Sequence, residues 1–211
     1  MTSASRTADT RQRLIDAAIE TIRTHGIAHV SARTIAATGD VNQALIFYHF
    51  GSVSGLLGEA CLATTASRVE EFRARLDDVH DFAGLIVVAQ QIHAEEKLRG
   101  NVQVLAQVLA GAQADVELAA IVGQSLKLWT DHVEEVLGRL LASSPFGDVV
   151  DAHALAQLVS ATFVGLELME PTRTTVEGES LAGLEKLERV AAVVDGLGPL
   201  ARRAIRATLK P

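Results

Sequence analysis

Apolar residues recur along this chain at steps of three and four. Leu14, Ile15, Ala18, Ile19 and Ile22 form the first stripe, which predicts a helix over about residues 10–25 buried on one face. Asp9 followed by Gln12 reads as its capping pair, and Gly26 as the residue that closes it in a left-handed conformation. Ser31 is placed to cap a second short helix (32–38), Asn42 a third (43–50) and Ser52 a fourth that runs to about Leu76. Beyond residue 78 the pattern predicts long helices over 82–98, 101–113, 115–141, 151–169 and 181–195, with a last segment at 199–209. Val122, Leu126, Trp129, Val133, Val136 and Leu140 alternate steps of four and three, and Leu155, Val159, Thr162, Leu166 and Met169 repeat that spacing. Such stripes suit antiparallel packing in a bundle. Proline is absent before Pro145, while Gly147, Pro171, Gly178 and the Gly196–Pro199 segment punctuate the later helices. No alternating strands and no long internal repeat are visible. The pattern predicts an all-α chain with a small module over 8–68 and a larger helical domain over 69–211.

Composition narrows the class. The chain has 211 residues, 48% apolar and 21% charged, enough to bury a core and too apolar for disorder. The uncharged stretch Gly100 to Ala114 is shorter than the roughly 20 apolar residues a membrane span needs. A polar start without an apolar segment behind it shows no secretory signal, and the single Cys61 excludes an intrachain disulfide. A cytosolic setting is therefore the default expectation.

Residues 32–51 carry a more specific signal. Two helices that cross steeply need a small residue at the crossing, which Ala36 supplies, and apolar contacts, which Ile35, Val41 and Ile46 can make. Gly39-Asp40 would form the tight turn, with Asp40 in the left-handed region. A helix held this way can enter a major groove about 12 Å wide. Three of the chain's eight aromatics (Phe47, Tyr48 and Phe50) fall within four residues, beside His49. So short a helix cannot bury them all. Phe50 suits a small core and Tyr48 an outer surface.

From Thr10 to about Ala60 the sequence resembles the DNA-binding domain of the tetracycline-repressor-like (TetR) regulators. The features that carry it are Arg11-x-x-Leu-Ile-x-Ala-Ala18 at the start of the first helix, Gly26, Thr34-Ile-Ala, Val41, and Phe47-Tyr-His-Phe-Gly-Ser52 followed by Leu56-Leu57. The resemblance implies about nine helices and a DNA-facing set of Arg33, Thr34, Asn42, Gln43, Leu45, Phe47, Tyr48 and His49. Within it Arg33 and Gln43 reach bases or phosphates, and Phe47, Tyr48 and His49 lie along the backbone. Gln suits adenine and Arg guanine, whereas a Tyr hydroxyl or an imidazole positions on phosphate without specifying sequence. The chain departs from the family at Asp40 (often Gly), Val53 (often Lys), Leu45 (often small and polar) and Phe47 (often Tyr). Leu45 can instead meet a thymine methyl. The lost phosphate contacts would shift weight to Arg33 and to an N-terminal arm carrying Arg6, Arg11 and Arg13.

Net charge, −7 overall, first reads as contrary to a nucleic-acid partner. Its distribution does not: residues 1–50 carry five Arg against four acids, and residues 51–198 carry ten basic against 22 acidic residues. The acidic body would repel phosphates and favour DNA at the N-terminal module.

Elsewhere catalytic patterns are scarce. Gly123-Gln-Ser-Leu-Lys127 lacks the last Gly of a nucleophile elbow, and Gly196-x-Gly198 has no strand before it. His80 among Asp77, Asp78 and Asp81 reads as an acidic loop rather than a metal site, so no metal and no cofactor are expected. Cys61 reads as a small buried residue. Candidates for lining an effector pocket are Gln103, Gln107, Trp129, His132, Phe163, Glu167 and Met169. The resemblance implies a homodimer formed through 151–169 and 181–195, and a small-molecule effector. The reading is therefore a sequence-specific, ligand-responsive repressor, not an enzyme, acting on a near-palindromic DNA operator, with no membrane partner. Two alternatives stand beside it: a helical interaction module that has lost DNA binding, and an α-helical enzyme.

Overall fold

A computed structural model describes the backbone of residues 3–169 and 179–209, and the side chains of 7–165 and 186–208. Among the described residues there are ten α-helices, one 3-10 turn and no strand. The helices are α1 (Ser3–His25), α2 (Ala32–Gly39), α3 (Ala44–Phe50), α4 (Val53–Asp77), α5 (Phe82–Leu98), α6 (Asn101–Ala112), α7 (Val116–Ser143), α8 (Ala152–Met169), α9 (Glu179–Asp195) and α10 (Pro199–Leu209). The all-α expectation holds, and most ends fall within two residues of the pattern. The exception is the start of α1. The apolar stripe marks only the buried part of that helix, and neither Gly nor Pro interrupts the polar residues upstream, so it begins at Ser3. Asp9 and Gln12 therefore lie inside it and do not cap it; Gln12 bonds Asp16 one turn on, at 2.9 Å. Gly26 closes α1 at a positive φ of 78°, which favours glycine, but its ψ of 159° is extended and outside the left-handed helical region that the pattern predicts.

The chain divides into two compact units. Residues 1–67 and 99–127 form the first. Leu14, Ala18, Ile22, Ile35, Ile46 and Leu56 make the centre of its core, joined by Val108 of α6 and by Leu118 and Val122 of α7. Gly58 lets α7 lie close: a Cβ there would sit 2.7 Å from Ile121. Gln107 accepts the Ile27 backbone N–H at 2.7 Å, which satisfies a donor in the 3-10 turn after α1.

Residues 68–98 and 128–211 form the second unit. Phe72, Leu76, Ile92, Val136 and Leu140 are buried together, and Trp129 packs on both this cluster and a second one of Val133, Leu137 and Ala156. Arg75 of α4 reaches Glu95 of α5 at 2.7 Å. The residues Gly196–Gly198 end α9, and α10 then brings Arg202 onto the carbonyls of Leu197, Asp195 and Ser143, and Arg206 onto that of Ser144. Guanidinium groups thus meet the carbonyl-rich ends of α7 and α9, where cations are favoured. The stripe on α8, which suits either this unit's own core or a dimer interface, is divided: Leu155 packs against the core and Val159 does not. Ala156 is its fully buried residue, while Leu158 and Val159 are 65% and 40% exposed. Leu166, Met169, Pro171 and Gly178 lie outside the residues whose side chains are described.

Candidate nucleic-acid interface

The site is built by local chemistry between residues 31 and 55. Ser31 caps α2 by accepting the Thr34 N–H, while the Thr34 hydroxyl accepts the Ser31 N–H at 2.8 Å. This reciprocal box fixes where α2 starts. Asp40 ends α2 in the left-handed region (φ 47°, ψ 52°), the conformation the turn requires. Arg13 of α1 donates to the Gly39 and Asp40 carbonyls at 3.0 and 3.2 Å, holding the turn from below. Asn42 Oδ1 accepts the Ala44 N–H at 2.9 Å and starts α3. Ile46 is the buried side chain of α3, seated against the Ile35 and Leu56 cluster.

That burial pattern decides which α3 residues face outward. Gln43 is exposed, Phe47 is 51% exposed and Tyr48 is 79% exposed. His49 is half-buried and sits edge-on to the Tyr48 ring, 4.9 Å between centroids. Phe50 turns inward, with the Arg11 guanidinium 5.0 Å over its ring. Between α2 and α3 lies an open concavity of about 500 Å³, with Ala36, Ala37 and Val41 in its wall and Arg33, Asp40, Asn42 and Gln43 around them. Its outer groups are a guanidinium, two amides and the Asp40 carboxylate; the guanidinium and amides suit hydrogen bonding to bases and phosphates, and the carboxylate does not suit phosphate.

Not all of the residues singled out from sequence are equally available. Arg33, Gln43, Phe47 and Tyr48 are exposed. Thr34 and Asn42 spend hydroxyl and amide oxygen on helix starts. Leu45 is half-buried against the core. The arm reading needs correction. Arg11 and Arg13 belong to α1, not to a free tail: Arg11 pairs with Glu59 at 2.8 Å, and Arg13 holds the turn. Both guanidiniums serve the fold because α1 extends upstream past them. Arg6 lies outside the described side chains.

The pocket candidates are distributed. Gln103 is exposed and Gln107 is bonded to Ile27, both in the first unit. In the second unit Phe163 meets His93 edge-on at 5.7 Å, and Trp129 packs in the core. His132 is buried, with neither ring nitrogen hydrogen-bonded; its Nδ1 is 3.5 Å from Glu135. Glu167 and Met169 lie outside the described side chains. Among the described residues no three His, Cys, Asp or Glu side chains converge on a metal position, and no single helix is long and apolar enough to cross a membrane. Burial pushes the Cys61 thiol up, so it stays protonated at neutral pH.

Sequence reading missed one group. At the start of α4, Ser52 accepts the Gly55 N–H and donates to Glu117 of α7, while Ser54 donates to Asp115. Each partner is more than 60 residues away in sequence, and nothing in the local pattern links them.

Residues 14–60 match the family described as bacterial regulatory proteins, tetR family. No curated protein matches the chain. Solved structures share the fold over most of its length. One from Rhodococcus sp., titled a TetR-family transcriptional regulator, is 17% identical with a TM-score of 0.71, covering 87% of this chain and 98% of its own. The fatty acid degradation regulator FadR from Bacillus halodurans is 19% identical, with a TM-score of 0.66 over 89% of this chain and 95% of its own. A transcriptional regulator from Saccharomonospora viridis, in complex with choline, is 21% identical, with a TM-score of 0.63 over 86% and 94%.

Proposed function

We infer that this chain, whose residues 14–60 are a tetR-family DNA-binding module, is a homodimeric repressor that reads a near-palindromic operator and releases it when a small molecule binds. The observation that carries the DNA reading is the short α3, anchored inward by Ile46 and presenting Gln43, Phe47 and Tyr48 outward. Gln43 and Arg33 are its base-reading candidates, and Tyr48 and His49 lie where phosphate contacts set register. Thr34 and Asn42 fix the starts of α2 and α3, and Leu45 packs partly against the core beneath that surface.

A dimer through α8 and α9 is supported by their exposed apolar residues. Leu158 and Val159 on α8, with Leu187, Val190 and Val193 on α9, are each 40–68% exposed. Apolar side chains at this spacing are the material of a helix-pair interface. In sedimentation, Val190→Glu combined with Val193→Glu is expected to convert a dimer to a monomer while leaving the helix content unchanged. An unchanged sedimentation coefficient would move the interface elsewhere.

An effector site in the second unit is supported by His132, a buried imidazole without hydrogen-bond partners. Such a group calls for a polar companion. Trp129 and Phe163 supply apolar surface in the same unit, and Glu167 and Met169 complete the proposed set. The choline-bound relative supports a small-molecule ligand for this fold. A ligand lowers operator affinity only if it binds better to the conformation that fits DNA worse.

Selection of duplexes from a random-sequence pool tests the function. An inverted repeat with half-sites about one helical turn apart is the expected outcome. Recovery of no sequence preference would favour the alternative of an interaction module, the reading motivated by Val53 where the family often has Lys.

A further inference from the structure

Two helix starts exchange caps in the first unit. Ser52 caps α4, its Oγ accepting the Gly55 N–H at 2.8 Å, and Asp115 caps α7, its Oδ1 accepting the Leu118 N–H at 3.0 Å. Each cap is bonded by the second helical residue of the other helix. Glu117, second in α7, takes the Ser52 hydroxyl with both carboxylate oxygens at 2.8 Å, and Ser54, second in α4, donates to Asp115. Gly55 lies beside the contact: a Cβ there would stand 3.4 Å from Glu117 Oε1, at about ordinary contact distance.

The electrostatics explain why acids are needed. The N-termini of a 25-residue and a 28-residue helix lie side by side, each carrying roughly half a positive charge. Their partial charges repel, and the two carboxylates between them turn that repulsion into attraction. The Leu118 N–H and then the Ser54 hydroxyl hold the Asp115 carboxyl below its ordinary range, so it stays ionised at neutral pH.

This exchange lies next to the DNA-facing residues. Gly51 (φ 75°) is the single residue between Phe50, which ends α3, and Ser52. Tyr48 and His49 thus stand four and three residues ahead of the cap. Ile46 is the fully buried residue of α3, with Leu45 and Phe50 packed partly against the same core, and α3 ends one residue before the cap, so the direction in which α4 begins bears on where Tyr48 points. We propose that Glu117, through Ser52, is a positioning residue for DNA binding: it fixes the start of α4 and thereby the Tyr48–His49 edge of α3, although it touches no DNA. The proposal rests on reading α3 as the DNA-contacting helix.

Tyr48 is the chain's one tyrosine, so 3-fluorotyrosine gives a single fluorine resonance at the surface in question. Glu117→Ala is expected to shift or broaden that resonance in the free protein and to weaken operator binding about tenfold, the scale of one charge-assisted hydrogen bond. Glu117→Gln keeps an acceptor for the Ser52 hydroxyl but loses the charge, and is expected to fall between wild type and Glu117→Ala in both readouts. Adding Ser52→Ala to Glu117→Ala should cost no more than Ser52→Ala alone, because both remove one interaction. An unmoved resonance in Glu117→Ala, unchanged or tighter DNA binding, or additive losses in the double variant would each overturn the proposal. If the wild type itself bound no duplex selectively, the DNA-binding reading would fall, and the fluorine resonance alone would still decide whether Glu117 positions α3.

Discussion

Gly55→Ala is expected to lower stability by about 3 kcal/mol or more, and Tm by about 6–12 °C. A Cβ at residue 55 would collide with the Phe50 carbonyl oxygen and come within 3.2 Å of Ser52 Oγ. The first obstacle is main chain and cannot swing aside as a flexible side chain would. Relief requires moving either the end of α3 or the start of α4, and both are fixed by the cap on Ser52 and by the core beneath Leu56. Thermal melts followed by circular dichroism give the answer. A Tm within about 1 °C of wild type would mean that the α3–α4 junction is softer than described here.

Ile46→Ala is expected to cost about 2–5 kcal/mol and to abolish selective DNA binding at temperatures where the rest of the chain remains folded. Ile46 has no exposed surface, and it is the buried residue of a seven-residue helix. Seven residues are too few for a helix to persist alone, so α3 exists because Ile46 sits in the core cluster with Ile35 and Leu56, flanked by the half-buried Leu45 and Phe50. Truncation leaves a cavity at the point where α3 is attached. Tyr48→Ala supplies the contrast: at 79% exposure its removal should leave Tm within about 2 °C while weakening DNA binding. Paired melts and DNA titrations of the two variants separate the role of each residue. Loss of affinity without loss of stability in Ile46→Ala would assign Ile46 a direct contact that its burial denies.

The parts of the molecule legible from sequence are those set by neighbours in the chain. Ser31, Asp40, Asn42 and Ser52 act within three or four residues, and each stands where its residue type and spacing place it. The outward Tyr48 and inward Ile46 likewise follow from helical periodicity on so short a helix. Three features escaped for physical reasons. A helix start without Gly or Pro ahead of it has no sharp signal, so α1 runs further upstream than its apolar stripe. Because of that, Arg11 and Arg13 were expected on an arm, whereas Glu59 and the Gly39 and Asp40 carbonyls engage them across the fold. The apolar spacing of α8 is the same whether a face meets its own core or another surface, and only the burial of Ala156 shows that Leu158 and Val159 look outward. The Ser52–Glu117 bond joins residues 65 apart, a pairing no local pattern encodes.

We propose that Gln43, at the N-terminus of α3, reads DNA sequence and that Tyr48 on α3 holds register. Fluorescence anisotropy at fixed salt, comparing a duplex from the promoter of the chain's own gene with a shuffled duplex of equal composition, tests it most directly. The wild type is expected to bind the promoter duplex at least about a thousandfold more tightly. Gln43→Ala should erode that ratio by roughly 1–3 kcal/mol at one base position per half-site, with melting unchanged. Equal affinity for the two duplexes, or a ratio that Gln43→Ala and Tyr48→Ala both leave intact, would contradict it.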